Sequence, residues 1–315
     1  MNPDRINKTE NPILTLEGGI INGFEKAITP EGSFPCFVYP ARETSEQTAD
    51  SAPEEIASSA IVLGTVLYKH PELEITKKIC TFLQQHLGKD ETIAFFENLE
   101  LLPPDTDTTA YVLSALYKAG AIERNVLERV TQKILSNTNT EGVVEIYFKS
   151  SNKESKVDPV ALTNILHLVS LSGIESNEQK ELQKKAIEQH LLSGEYLNGS
   201  RYYFAPEFFL YFLSQLIHDF PNEYEKWKAQ VIDAITKRIG TTKYPIDLAM
   251  RITSMKLLGL DNEIDKNSLL LLQDKNGNFS SDCIYKYGSK MGYFGSQTIS
   301  NAFCAEALTE ENDML

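Results

Sequence analysis

The feature that most constrains this chain is a recurring pair of helices. One member of each pair is apolar nearly all round. Its mate keeps a single polar face. The apolar members run from Pro53-Glu54-Glu55 through Leu67, from Asp105 to Ala119, Asp158 to Leu171, Phe204 to Ile217, Tyr244 to Leu258 and Gly295 to Leu308. The amphipathic mates run from Glu74 to Leu87, Glu123 to Leu135, Ser176 to Leu192, Asn222 to Ile239 and Ile264 to Leu272, with a further helix at Leu14 to Ala27. The small residues Ala57, Ala110, Ala161, Ala249 and Ala302 mark a period of roughly fifty residues, with one marker missing near Phe208. A helix apolar all round is buried on both sides, and one with a polar face lies outside it. About six such hairpins close into an α/α barrel. An open superhelix would need polar end repeats, and the first and last apolar helices are as apolar as the middle ones. The predicted fold is all-α, an α/α barrel forming one domain over residues 1–315, with residues 1–12 frayed.

A second repeat lies in the connections. Its best copy is Leu269 to Phe279, with Gln273 and Gly277. Ile28 to Phe34, Thr140 to Tyr147 and Asn198 to Tyr202 are looser copies. The shared element is a glycine turn followed by an aromatic. The glycine lets the chain reverse and the aromatic plugs the joint.

The chemistry concentrates at Pro103-Pro104-Asp105-Thr106-Asp107-Thr108-Thr109-Ala110. The prolines suit a helix lead-in, and Asp105 and Thr106 can cap the amides that follow. Two carboxylates and three hydroxyls therefore crowd the mouth of a buried helix. An over-furnished N-cap is the plain structural alternative.

Asp105-Thr106-Asp107-Thr108-Thr109 resembles the DxDD motif of class II terpene cyclases, in the DxDTT variant of drimenyl diphosphate synthase-type enzymes. The glutamine, spacer, glycine and aromatic of the second repeat resemble the repeat shared by terpene cyclases and protein prenyltransferases. The resemblance implies protonation-initiated cyclisation of a linear prenyl diphosphate, farnesyl or geranylgeranyl, with the diphosphate retained. It makes Asp107 the acid, with Asp105 and Thr108 holding its other oxygen. Mg²⁺ would enter only through the substrate diphosphate. A separate phosphatase could act on the product, since nothing in this chain resembles the phosphatase-like domain of drimane-forming relatives. Protein prenyltransferases need zinc held by Asp, Cys and His. Asp282-Cys283 could supply two ligands, but no histidine follows His218, so no zinc is expected.

A carbocation must meet polarisable faces rather than water. Two aromatic clusters lead into apolar helices. Tyr202, Tyr203, Phe204 and Phe208, with Phe209, Tyr211 and Phe212, precede and open the fourth. Tyr285, Tyr287, Tyr293 and Phe294 precede the sixth. Core packing is the structural alternative for each ring. Arg42, Lys149, Arg201, Lys286 and Lys290 lie in the loops before apolar helices and are candidate diphosphate anchors. Asn164 and His167, on the third apolar helix, could each bond Asp107, with a satisfied core histidine the plainer role for His167.

Composition narrows the rest. A net charge of −14 with no basic run argues against nucleic acid and anionic membranes. The polar start, Met1 to Glu10, and the short apolar runs predict neither signal peptide nor transmembrane segment. Four scattered cysteines read as reduced thiols of a cytoplasmic protein. Two rival functions remain: an isoprenoid- or protein-binding barrel without catalysis, and a carbohydrate-active barrel. The second is disfavoured by a single tryptophan, Trp227, on an outer helix.

Overall fold

A computed structural model describes residues 12–44, 48–149, 155–175, 177–287 and 292–309. Lys290, one of the candidate anchors, and most of the stretch expected to fray lie outside the described residues.

The inner helices are α2 (Ala57–Thr65), α4 (Thr106–Lys118), α6 (Pro159–Ser172), α8 (Pro206–Asp219), α11 (Pro245–Leu257) and α13 (Gln297–Leu308). Each packs on the next in chain order, and α13 packs back on α2, so the inner ring closes. The outer helices are α1 (Pro12–Ala27), α3 (Glu74–Gln85), α5 (Arg124–Ser136), α7 (Glu178–Ser193), α10 (Lys228–Thr236) and α12 (Glu263–Leu270), with the short α9 (Pro221–Tyr224) ahead of α10. The architecture is the expected α/α barrel. Inner helices are buried almost throughout. In α6, for example, every residue from Val160 to Ser170 is buried. The stretch expected as one helix from Asn222 to Ile239 is broken instead: α9, a 3₁₀ turn at Glu225–Trp227, then α10. The break tucks Trp227 inward, where it stacks on Tyr224 with centroids 5.4 Å apart.

The connections are hydrogen-bonded as the glycine–aromatic repeat suggested. Gln273 Nε2 donates to the Gly277 carbonyl, and Phe279 is fully buried. Gly199 shows why only glycine serves. Its φ is +66°, and a Cβ there would lie 2.5 Å from the Phe204 carbonyl. That turn delivers Tyr202 and Tyr203 toward the barrel interior.

A small antiparallel sheet was not expected. Its order is β2 (Asp50–Ser51), β1 (Phe37–Tyr39), β4 (Tyr293–Ser296), β3 (Asp282–Lys286). Through the β1–β4 pair it joins segments more than 250 residues apart, and it lies over the N-terminal ends of the inner helices. Arg42 fastens it there. The guanidinium bonds Asp247 at 2.7 and 3.0 Å and Asp282 at 2.7 and 2.8 Å. Its plane also lies over Tyr244, 3.9 Å from the ring centroid. Arg42 is thus a structural clasp and not a free anchor. Asp282, bound in this clasp, and Cys283, buried in β3, hold the sheet in place.

Candidate active site

The inner helices begin beneath the sheet, and each start is pinned to a neighbouring loop. Thr109 Oγ1 accepts from the Ile93 amide at 3.0 Å, and Thr106 N donates to the Ile146 carbonyl at 2.8 Å. Glu55 pairs with Phe96, and Asp105 with Tyr147, through isolated bridges. These pins carry Phe95, Phe96, Ile146 and Tyr147 to the wall of one cavity.

That cavity is open at its mouth, and its empty space, about 640 Å³, includes the solvent at the opening. Ala57, Ala60, Leu102, Val112 and Ile146 make its apolar wall. Phe95, Phe96, Tyr285 and Phe294 make an aromatic one, with Phe95 edge-on to Tyr285 at 5.1 Å and to Phe294 at 5.9 Å. Asp105, Asp107 and Thr108 all face it.

Asp105 is the N-cap of α4, its Oδ1 accepting from Thr108 N at 2.7 Å. Asp107, two residues on and within the first turn, is held by two donors from elsewhere: Asn164 Nδ2 to Oδ1 at 2.9 Å and the Tyr203 hydroxyl to Oδ2 at 2.6 Å. The sequence reading gave that holding role to Asp105 and Thr108. Thr108 instead serves Asp105, because a cap two residues earlier points its oxygen at the helix amides. Burial pushes Asp107 up to about 6, against the lowering effect of Asn164 and Tyr203. Burial and the neighbouring Asp107 push Asp105 up to about 7. Each carboxyl therefore keeps its proton to a higher pH than a solvated one would. His167 bonds Asp219 at 2.8 Å and not Asp107.

The acids at the helix starts divide into two sets. Glu207 is met by Arg238 and Arg251, and Asp247 and Asp282 by Arg42. Glu55, Asp105, Asp107 and Asp158 are held by amides and neutral side chains, and burial raises all four. Burial also raises Glu207 and Asp282, and of the four acids without a cationic partner only Asp105 and Asp107 line the cavity.

The aromatic and cationic candidates separate. Tyr202 lines the cavity mouth, its hydroxyl 3.3 Å from that of Tyr147. Lys286 also lines it, its ammonium 5.2 Å from the Tyr293 ring centroid. Arg201 is exposed, 5.7 Å from the Tyr202 ring centroid. Phe204, Phe208 and Tyr293 do not line the cavity. Phe208 is fully buried behind Tyr203, and Phe204 lies edge-on to Tyr293 at 5.0 Å. These three rings support the wall. The wall residues the sequence reading missed are Phe95, Phe96, Leu102, Tyr111, Ile146 and Tyr147. Its own rule, aromatics in loops ahead of apolar helices, would have found Phe95, Phe96 and Tyr147.

Residues 73–171 match the sesquiterpene cyclase astC-like C-terminal domain family. Drimenol cyclase drtB of Aspergillus calidoustus is 28% identical over 212 residues, 67% of this chain but 39% of that protein. The chain thus spans well under half of that relative's length. The type II terpene cyclase MstE from Scytonema, solved with its substrate geranylgeranyl dihydroxybenzoate, superposes with a TM-score of 0.69 at 13% identity, covering 97% of this chain and 99% of MstE. ent-Copalyl diphosphate synthase from Streptomyces platensis superposes at 0.56 and 15% identity, over 81% of this chain and 50% of the other. The resemblance to class II terpene cyclases read from the motif is therefore found independently in sequence and in fold.

Proposed function

We propose that this protein is a class II terpene cyclase that protonates and cyclises a linear prenyl diphosphate, farnesyl or geranylgeranyl, and leaves the diphosphate in place. The observation that carries this reading is Asp107: a buried carboxyl, facing an apolar and aromatic cavity, with both oxygens held by neutral donors. An alkene is a very weak base, so its acid must keep a proton and yet surrender it. Burial keeps the proton on Asp107. Asn164 and Tyr203 stabilise the carboxylate left behind.

In the reaction the Asp107 O–H bond breaks and a C–H bond forms at the terminal alkene. The cation moves along the chain from that alkene toward the diphosphate as each alkene closes a ring, and loss of a proton from the last cation restores a double bond. Phe95, Phe96, Tyr285 and Phe294 offer their faces to the cation without reacting. We assign a diphosphate at the mouth to Lys286, which lines the cavity, and to the exposed Arg201 beside Tyr202. Any Mg²⁺ rides on that diphosphate, needing no protein cage, and no step of the protonation passes through it. The net change is an isomerisation. Our reading keeps the enzyme in the cytoplasm, with a separate phosphatase acting on its product; among the described residues no helix is long and apolar enough to cross a membrane.

The test is incubation with farnesyl and geranylgeranyl diphosphates, phosphatase treatment and mass spectrometry. A cyclic alcohol of unchanged formula is expected from one of them. Recovery of linear alcohols only, from folded protein, would leave the binding-barrel reading in its place.

A further inference from the structure

We propose that Tyr111 is the floor of the cavity and fixes which alkene Asp107 protonates, by stopping the apolar end of the substrate one helical turn below the acid; this rests on the cyclase reading above. α4 runs inward from beneath the sheet, and Asp107 and Tyr111 stand four residues apart on it, so their side chains share one face. At ~1.5 Å per residue Tyr111 starts ~6 Å deeper than the acid, close to the length of one extended isoprene unit. Beyond it lies a second cavity, lined by Ser114, Asn164, His167 and Gln215 among others. Among the described residues Tyr111 is the one lining residue that the two cavities share. Its neighbours Ala110 and Val112 are fully buried, whereas Tyr111 stays partly exposed, to these cavities. The ring is a partition between them.

The partition is held in place from two sides. Phe212 of α8 meets it edge-on, with centroids 5.9 Å apart. On α2 stands Gly64, where a Cβ would lie 3.2 Å from the Tyr111 hydroxyl and 3.4 Å from the Ala115 Cβ. Glycine weakens a helix interior, and Gly64 lies within α2 without a positive φ. What it supplies is room for the end of the Tyr111 side chain.

Depth decides the site of protonation because the acid is fixed and the chain is repetitive. A linear prenyl chain carries the same alkene once per isoprene unit, so Asp107 meets whichever one is stopped beside it. With the floor in place that is the terminal alkene. The Asp107 O–H bond breaks, a C–H bond forms at the less substituted carbon, and the next alkene closes on the tertiary cation. Without the phenol ring, the space left is bounded by Gly64, Ala115 and Phe212, all apolar, and takes the isopropylidene end of a longer chain. The alkene one unit nearer the diphosphate then stands at Asp107 and reacts in the same way. The last isoprene unit stays acyclic, and the formula is unchanged.

The test is a competition, at equal concentration, between the substrate wild type cyclises and the diphosphate one isoprene unit longer: geranylgeranyl against farnesyl, or geranylfarnesyl against geranylgeranyl. Products are dephosphorylated, weighed and inspected by NMR for a surviving isopropylidene end. Tyr111→Ala should move the product ratio toward the longer chain by roughly ten-fold or more, and its product from that chain should be cyclic and keep an isopropylidene tail. Tyr111→Phe retains the ring and should retain the wild-type ratio and product. Tyr111→Leu, a shorter apolar side chain, carries the test if Tyr111→Ala does not fold. A Tyr111 that only packs the core would change melting temperature and rate alone. In a folded variant, an unchanged ratio or the absence of any tail-keeping product overturns the proposal, and so does a tail-keeping product from Tyr111→Phe. No cyclic product from wild type with farnesyl or geranylgeranyl diphosphate would instead remove the cyclase reading itself, and with it the role of a floor.

Discussion

On the proposed reading Asp107 is the acid, and two neutral donors and burial pull on its proton affinity in opposite directions. Asp107→Asn keeps the shape and removes the transferable proton, so cyclised product should fall at least ~10²–10⁴-fold, the usual share of general acid catalysis. Asp105→Asn should cost less, since Asn caps nearly as well as Asp. Product yield and melting temperature of the two variants, side by side, check this order; equal activity would reduce the motif to a helix start. Activity should also fall as pH rises through about 6 to 7, where the pair loses its proton. Tyr203→Phe removes a donor to the carboxylate. Its alkaline limb should move upward while the maximal rate drops, roughly ten-fold; an unmoved limb would deny Tyr203 its part. Stability follows the same groups. Both folded values lie above the ordinary carboxylate value, so between that value and about 6 to 7 the folded state binds more protons than the unfolded. Stability then declines as pH rises through this window. Asp107→Asn should therefore gain a few degrees in melting temperature over wild type at pH 8, and less at pH 5. At this scale the sequence was half legible. Asp107 announced itself through a local motif, and Asn164 through its place on the next inner helix. Tyr203 read as one aromatic among seven, because its bond to Asp107 spans 96 residues.

At the scale of elements, the inner helices were readable because burial on both sides leaves an unmistakable composition. The sheet was not, because its strands run two to five residues and pair across the whole chain. Yet the sheet supplies Tyr285, Lys286 and Phe294 to the cavity. Arg42 shows the same limit. A loop arginine reads as a candidate anchor until Asp247 and Asp282, both buried, are seen to converge on it. Breaking a buried pair leaves an uncompensated charge, at about 3–5 kcal/mol. Arg42→Ala should lose stability of that order in urea unfolding, and Arg42→Lys should recover only part, since an ammonium cannot bond two carboxylates in a fork. A loss below ~1 kcal/mol, the worth of a surface pair, would contradict the clasp.

For the whole molecule, closure of α13 on α2 ties the two ends of the chain into one ring. We expect one cooperative unfolding transition, shifted upward by a prenyl diphosphate through mass action, ~2.7 kcal/mol at a hundred times the Kd. Two separate transitions would count against a single domain. The most direct test of the central claim is to run the reaction in D₂O and weigh the product. Wild type should yield a cyclic product carrying one deuterium from Asp107, and Asp107→Asn, folded, should yield none. A cyclic product without deuterium, or one formed as readily by Asp107→Asn, would contradict the account.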